Sequence, residues 1–155
     1  MNTVLLATDG SPTAAQALDF AIEMCQDTGA RLEVLTVRTL AAHGDPEAPH
    51  GDHMDLQPVV ETIAAEAAQH AHDLGVEASA RTAYGSPAAM IAETAEALDA
   101  DLVVVGSHGR SALARAALGS VSLGLVSSSC PVPVTVVRSV PAPASIASGE
   151  RAQEA

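Results

Sequence analysis

Gly106-Ser107-His108-Gly109 is followed, after nine further residues, by Gly119-Ser120. Glycines let a backbone bend through φ > 0 and let phosphate oxygens come close to main-chain N–H groups. Gly106 directly follows the apolar run Leu102–Val105, and Gly119-Ser120 opens the next helical segment. A helix start adds free N–H donors and the positive end of the helix dipole. The hydroxyls of Ser120 and Ser122 are further donors. Residue types and spacing therefore describe a seat for a phosphate-bearing ligand. Glycine spacing alone also fits a merely tight loop; the position after a strongly apolar strand favours the ligand.

Other residues are weighed the same way. Asp9-Gly10 after an apolar run is ordinary turn chemistry, but coupled to the Gly106 loop Asp9 reads as a ligand contact. Arg110 and Arg115 lie within the glycine-spaced loop, where they serve either to neutralise phosphate or as solvated charges. His108 is read as structural or exposed rather than as a phosphate contact. His43, His50 and His53 crowd one segment with Asp52 and Asp55, but their spacing fits no closed metal site, and a solvated loop is expected. His70 and His72 are two apart on a helix and do not share a face. A Walker A loop needs lysine, and the chain has none: all seven basic residues are arginine. The nucleophile elbow G-x-S-x-G is absent as well. No general base is placed by the motif, so efficient catalysis is not expected.

The elements that must position these residues follow in order. Thr3–Thr8 reads as a buried strand. Ser11-Pro12 starts a helix, with Ala17, Leu18, Ala21, Ile22 and Cys25 at helical spacing and Gly29 as its stop. Leu32–Val37 is a second strand, and residues 38–55 form a long loop. Leu56–Leu74 is a helix with Val59, Val60, Ile63, Ala67 and Ala71 facing inward. Glu77–Tyr84 is a strand near an edge. Gly85-Ser86-Pro87 repeats Gly10-Ser11-Pro12 and implies the same capping chemistry. A third helix runs to about Ala97 or Leu98. Leu102–Val105 is a central strand, a fourth helix ends before Pro131, and Val134–Arg138 is the last strand. Strict β-α alternation means α/β with a parallel sheet covered by helices on both faces. The expected fold is a single-domain, open five-stranded sheet of order 3-2-1-4-5, flavodoxin/Rossmann-like. Strand order then reverses between the first and fourth strands, with Asp9 and Gly106 side by side at the crevice.

The 155 residues, 48% apolar, suffice for one domain with a core of Ala, Val, Leu and Ile, since Phe20 and Tyr84 are the sole aromatics. A net charge of −12 disfavours a nucleic-acid partner. Cys25 and Cys130 lack disulfide or metal spacing, which suits a reducing compartment. Met1–Ala7 has no secretory character and no run reaches membrane-spanning length. The expectation is a cytoplasmic protein without membrane insertion. Residues 139–155 carry little apolar periodicity and are expected to be a disordered tail.

The spacing G-x2-G-x9-G-S, with the opening TVLLATDGSPTAAQAL, the stretch DADLVVVGSHGRSALARAALGSVS and the closing CPVPVTVVR, resembles the universal stress protein family in its ATP-binding branch. The resemblance covers residues 1–138 as one nucleotide-binding domain, and members lacking these glycines generally do not bind ATP. It implies that Ala7, where many relatives have proline, lines an adenine pocket, and that Val37 offers backbone groups to adenine. It implies that Gly106, Gly109, Gly119, Ser120 and Val121 hold ribose and phosphates, with Arg110 and Ser122 as weaker additions. Asp9 would lie near the nucleotide and any Mg²⁺. Relatives commonly form homodimers through the last strand, here Val134–Arg138. The implied function is that of an ATP-binding regulatory protein of the stress response; slow Mg-dependent ATP hydrolysis is the alternative. A phospho-accepting receiver domain fails for want of the acidic residue after the third strand and of lysine. A flavin protein fails for want of aromatic flanks.

Overall fold

The computed structural model describes residues 1–39, 57–108, 118–128 and 130–138. Five strands alternate with four helices: β1 (Thr3–Ala7), α1 (Pro12–Thr28), β2 (Arg31–Arg38), α2 (Gln57–Asp73), β3 (Ala78–Tyr84), α3 (Pro87–Ala97), β4 (Leu102–Gly106), α4 (Ser120–Ser127) and β5 (Val134–Val137). All neighbours pair in parallel, in the order β3-β2-β1-β4-β5. The expected sheet is thus the observed one. β1 occupies its middle, and the Leu102–Val105 run is interior between β1 and β5.

Local chemistry accounts for the ends of α1. The Ser11 hydroxyl accepts from the Ala14 amide at 3.2 Å, and Pro12 supplies a preset φ at the start. Gly29 closes the helix at φ 72, its amide donating to the Cys25 carbonyl at 2.8 Å. β1 ends at Ala7, one residue earlier than expected, because Asp9 and Gly10 turn the chain; the Thr8 amide still reaches the Leu35 carbonyl at 2.9 Å. Ser86 does not repeat the Ser11 cap: it makes no side-chain capping bond. The two caps share φ −71, but ψ is 120 at Ser86 against 161 at Ser11, so matching tripeptides do not give matching cap geometry.

The sheet has an apolar cluster on each face. Ala17, Ala21, Ile22 and Cys25 of α1 and Ala64, Ala67, Ala68 and Ala71 of α2 cover Val4, Leu6, Leu32, Val34 and Val104. Ile91 and Ala95 of α3 and Leu125 of α4 cover Leu5, Leu35, Val103 and Val105. Burying each such Val or Leu side chain contributes about 1.5–3 kcal/mol. Val59 departs from the expected inward set: it is 48% exposed. At 3.6 residues per turn it lies roughly 140° around the axis from Ala64, off the alanine seam that meets the sheet. Phe20 packs partly buried against the α1/α2 cluster, and Tyr84 is exposed.

Glu33 is a buried carboxylate on β2. Arg81 of β3 contacts it at 2.7 Å and Arg31 lies at 3.6 Å, so burial of its charge is compensated. At the amino ends of the strands, one oxygen of Asp101 accepts from the amides of Asn2 at 2.6 Å and Thr3 at 3.0 Å. These bonds hold its carboxyl below the usual range. Among the described residues, no helix is long and apolar enough to cross a membrane. The expected loop of residues 38–55 and the tail 139–155 fall largely or wholly outside the described residues.

Candidate functional site

β1 and β4 are neighbours with Ala7 opposite Val105, yet α1 and α4 leave toward opposite faces. That divergence opens a crevice beyond their carboxyl ends. Asp9 follows β1 there, and its Oδ1 accepts from the Ser11 amide at 2.9 Å. Asp9 therefore takes part in the turn that delivers α1. Gly10 at φ 75 completes that turn.

Gly106 ends β4 and is a glycine for closeness. A Cβ there would meet the Thr13 carbonyl carbon, the Thr13 Cγ2 and the Ala14 nitrogen, each at 3.2 Å. The first turn of α1 thus lies directly on the end of β4. The expectation that these glycines serve φ > 0 does not hold for Gly106, which is not among the positive-φ residues, or for Gly119, whose φ is −59.

Three hydrogen bonds fix the two ends of the glycine-spaced segment. The Gly119 amide donates to the Ser107 carbonyl at 2.7 Å, and the Ser107 amide donates to the Val137 carbonyl at 2.8 Å. The Ser122 hydroxyl donates to the Gly106 carbonyl at 2.8 Å. Gly119 caps α4, its carbonyl accepting from Leu123 at 2.9 Å. The amides of Ser120, Val121 and Ser122 lie in the first turn, where no carbonyl of the helix can reach them. Ser120 is exposed, Val121 half-buried and Ser122 buried. Buried Ser107 has its Oγ 2.9 Å from His108 Nδ1, which orients the half-buried imidazole.

Beside this helix start lies an aliphatic surface. Ala7, Val37, Ala83, Ala88 and Val121 are partly buried against the α3/α4 cluster, with Val37 opposite Ala83 in register. Ala83 and Ala88 escaped the sequence reading. The alternation of β3 opposite Val37 is the signal that points to Ala83; Ala88 needs the packing of α3 on α4, where a Cβ on Gly124 would lie 3.1 Å from the Ala88 Cβ. A half-open aliphatic floor next to a helix N-terminus accepts a flat apolar group at one end and an anion at the other.

Of the sequence-derived set, Ala7, Asp9, Val37, Gly106, Gly119, Ser120, Val121 and Ser122 gather at these carboxyl ends. Gly109, Arg110 and Arg115 lie outside the described residues, as do His43, His50, His53, Asp52 and Asp55. His70 and His72 are exposed on α2, and no group of three metal-ligating side chains occurs among the described residues. A polar depression of about 420 Å³, lined by Asn2, Arg31, Glu77 and Asp99 among others, sits at the opposite, amino ends of the strands.

Comparison with known proteins gives a consistent answer. A universal stress protein from Bacillus subtilis, YxiE, is 34% identical over 147 residues, covering 88% of this chain and 99% of its own. A solved universal stress protein in complex with cAMP is 28% identical, with a TM-score of 0.67 over 88% of this chain and 96% of that one. The universal stress protein from Archaeoglobus fulgidus in complex with dAMP, 21% identical, shares the fold with a TM-score of 0.65 over 88% of this chain and 98% of its own. The family model described as the universal stress protein family matches residues 1–138, and the chain belongs to that family.

Proposed function

We propose that this protein binds an adenine nucleotide, ATP in the cell, and acts as a nucleotide-dependent regulatory protein of the stress response. The observation that carries the reading is the juxtaposition of the α4 first turn with the half-open floor of Ala7, Val37, Ala83 and Val121. The floor suits an adenine ring, with Val37 backbone groups at its edge. The first-turn amides, with Gly106, Gly109, Gly119, Ser120 and Val121, suit ribose and phosphates; Arg110 adds charge, and Ser122 stands behind them. Asp9 is the carboxylate nearest the role of holding Mg²⁺, which supplies charge neutralisation to the phosphates when bound. The 28%-identical relative solved with cAMP supports an adenine nucleotide in this family.

In this reading the nucleotide shifts a conformational or partner equilibrium by binding one state more tightly. The protein works in the cytoplasm, in keeping with its free Cys25 and Cys130, and as a homodimer joined through β5. Mass spectrometry of the natively purified protein tests the reading. Co-purified ATP, ADP or AMP is the expected result. A nucleotide-free protein that also fails to bind added millimolar ATP would overturn it.

A further inference from the structure

We infer that Ser122 is a positioning residue of the phosphate seat: it acts through the Gly106–Ser107 peptide and does not touch the ligand. The inference rests on the nucleotide-binding reading above. Ser122 is 2% exposed, and its Oγ donates to the Gly106 carbonyl at 2.8 Å. A serine hydroxyl has one proton to donate. That proton is committed to Gly106, so only lone pairs remain, and these cannot receive a phosphate oxygen.

The same peptide unit is held from its other side. Its N–H, that of Ser107, donates to the Val137 carbonyl at 2.8 Å, and the next carbonyl, that of Ser107, accepts from Gly119 at 2.7 Å. Two of these three bonds are main chain to main chain and do not depend on side-chain identity. Ser122 supplies the remaining one. Serine near a helix start commonly bonds to its own turn; here it reaches across to β4 and ties the first turn of α4 to the strand end. The amides of Ser120 and Val121 ride on that turn. Their direction toward the crevice therefore depends on a bond made at Ser122, one residue past Val121 and two past Ser120.

The test uses Ser122→Ala in the full chain, with two readouts. The first is the amide chemical shifts of Ser120 and Val121 without ligand. The second is calorimetric affinity for ATP and for adenosine. Loss of one such bond predicts moved Ser120 and Val121 amides in the free protein and ATP binding weakened about five- to ten-fold. Adenosine, which has no phosphate, should change less than about two-fold on the same argument. If Ser122→Ala fails to melt cooperatively, Ser122→Cys takes its place, because it keeps the size and weakens the donor. Unmoved free-protein amides, or unchanged ATP affinity, would overturn the positioning role. Wild-type protein that binds no ATP would instead overturn the nucleotide reading, and unmoved amides in the free variant would still count against Ser122.

Discussion

The Gly119 amide donates to the Ser107 carbonyl at 2.7 Å, closing the glycine-spaced segment on itself. The ends of that segment are therefore fixed, one at the tip of β4 and the other at the cap of α4. The spacing between Gly106 and Gly119 is a distance between two elements that the sheet already holds in place. Loop-closure entropy changes slowly with length, so joining these two fixed ends does not by itself select the spacing between them.

Gly106→Ala should destabilise the protein. The new Cβ would meet the Thr13 carbonyl carbon and the Ala14 nitrogen at 3.2 Å, and these main-chain atoms cannot swing aside. Overpacking of this kind costs about 1–3 kcal/mol. Urea unfolding measures the loss, and an unchanged unfolding free energy would show that α1 does not rest on the end of β4.

Thr36→Val should stabilise it. The Thr36 hydroxyl is buried, 3% exposed as a residue, and has no hydrogen-bond partner among the described residues. An orphaned buried hydroxyl costs roughly 1–3 kcal/mol, and valine has nearly the same shape without it. A gain of about 1 kcal/mol, with an unchanged denaturant slope, is the expected outcome. A loss of stability would mean that the hydroxyl is bonded in solution.

Cys25 should be inert and pH-linked. Burial raises its thiol from the ordinary 9.0 to about 11. Because the thiolate is the reactive form, a thiol reagent at neutral to mildly alkaline pH should label half-buried Cys130 first and Cys25 only on unfolding. Between pH 9.0 and about 11 the folded state keeps a proton that the unfolded state has released. Stability from this group is then full below that window and falls as pH rises through it. Cys25→Ala should flatten that slope, and a slope identical to wild type would contradict the assignment.

β5 should be a dimer edge. The Val103 amide bonds to the Pro133 carbonyl and the Ser107 amide to the Val137 carbonyl. In a parallel ladder this phase turns the main-chain groups of Val134 and Val136 outward, away from β4. An open apolar edge invites a second strand, and a two-fold pairing closes. Light scattering should report twice the 15.6 kDa chain mass. Val136→Pro, which removes an outward-facing donor, should return it to one. A monomeric wild type would reject the dimer, and a dimer indifferent to Val136→Pro would move the interface elsewhere.

Much of this architecture is legible in the sequence because it is local. Ser11-Pro12 and Gly29 bracket α1 by chemistry acting within a few residues, and the short, largely β-branched run Leu102–Val105 reads as a central strand. What was misread depends on tertiary context. Val59 looks like a core residue until the alanine seam of α2 is set on the sheet. Ser86 copies Ser11 in sequence but not in hydrogen bonding. Gly106 looks like a residue chosen for its φ until α1 is laid on it. The Ser122–Gly106 bond joins residues on different elements and has no pattern in sequence at all, and Ala83 enters the floor only through its register with Val37.

Titrating ATP into the isotopically labelled protein and following every backbone amide tests binding and its location together. The account predicts saturable shifts at Ala7, Val37, Ser120 and Val121, with Asn2, Glu77 and Asp99 at the opposite ends of the strands unmoved. No shifts at millimolar ATP, or shifts confined to Asn2, Glu77 and Asp99, would contradict it.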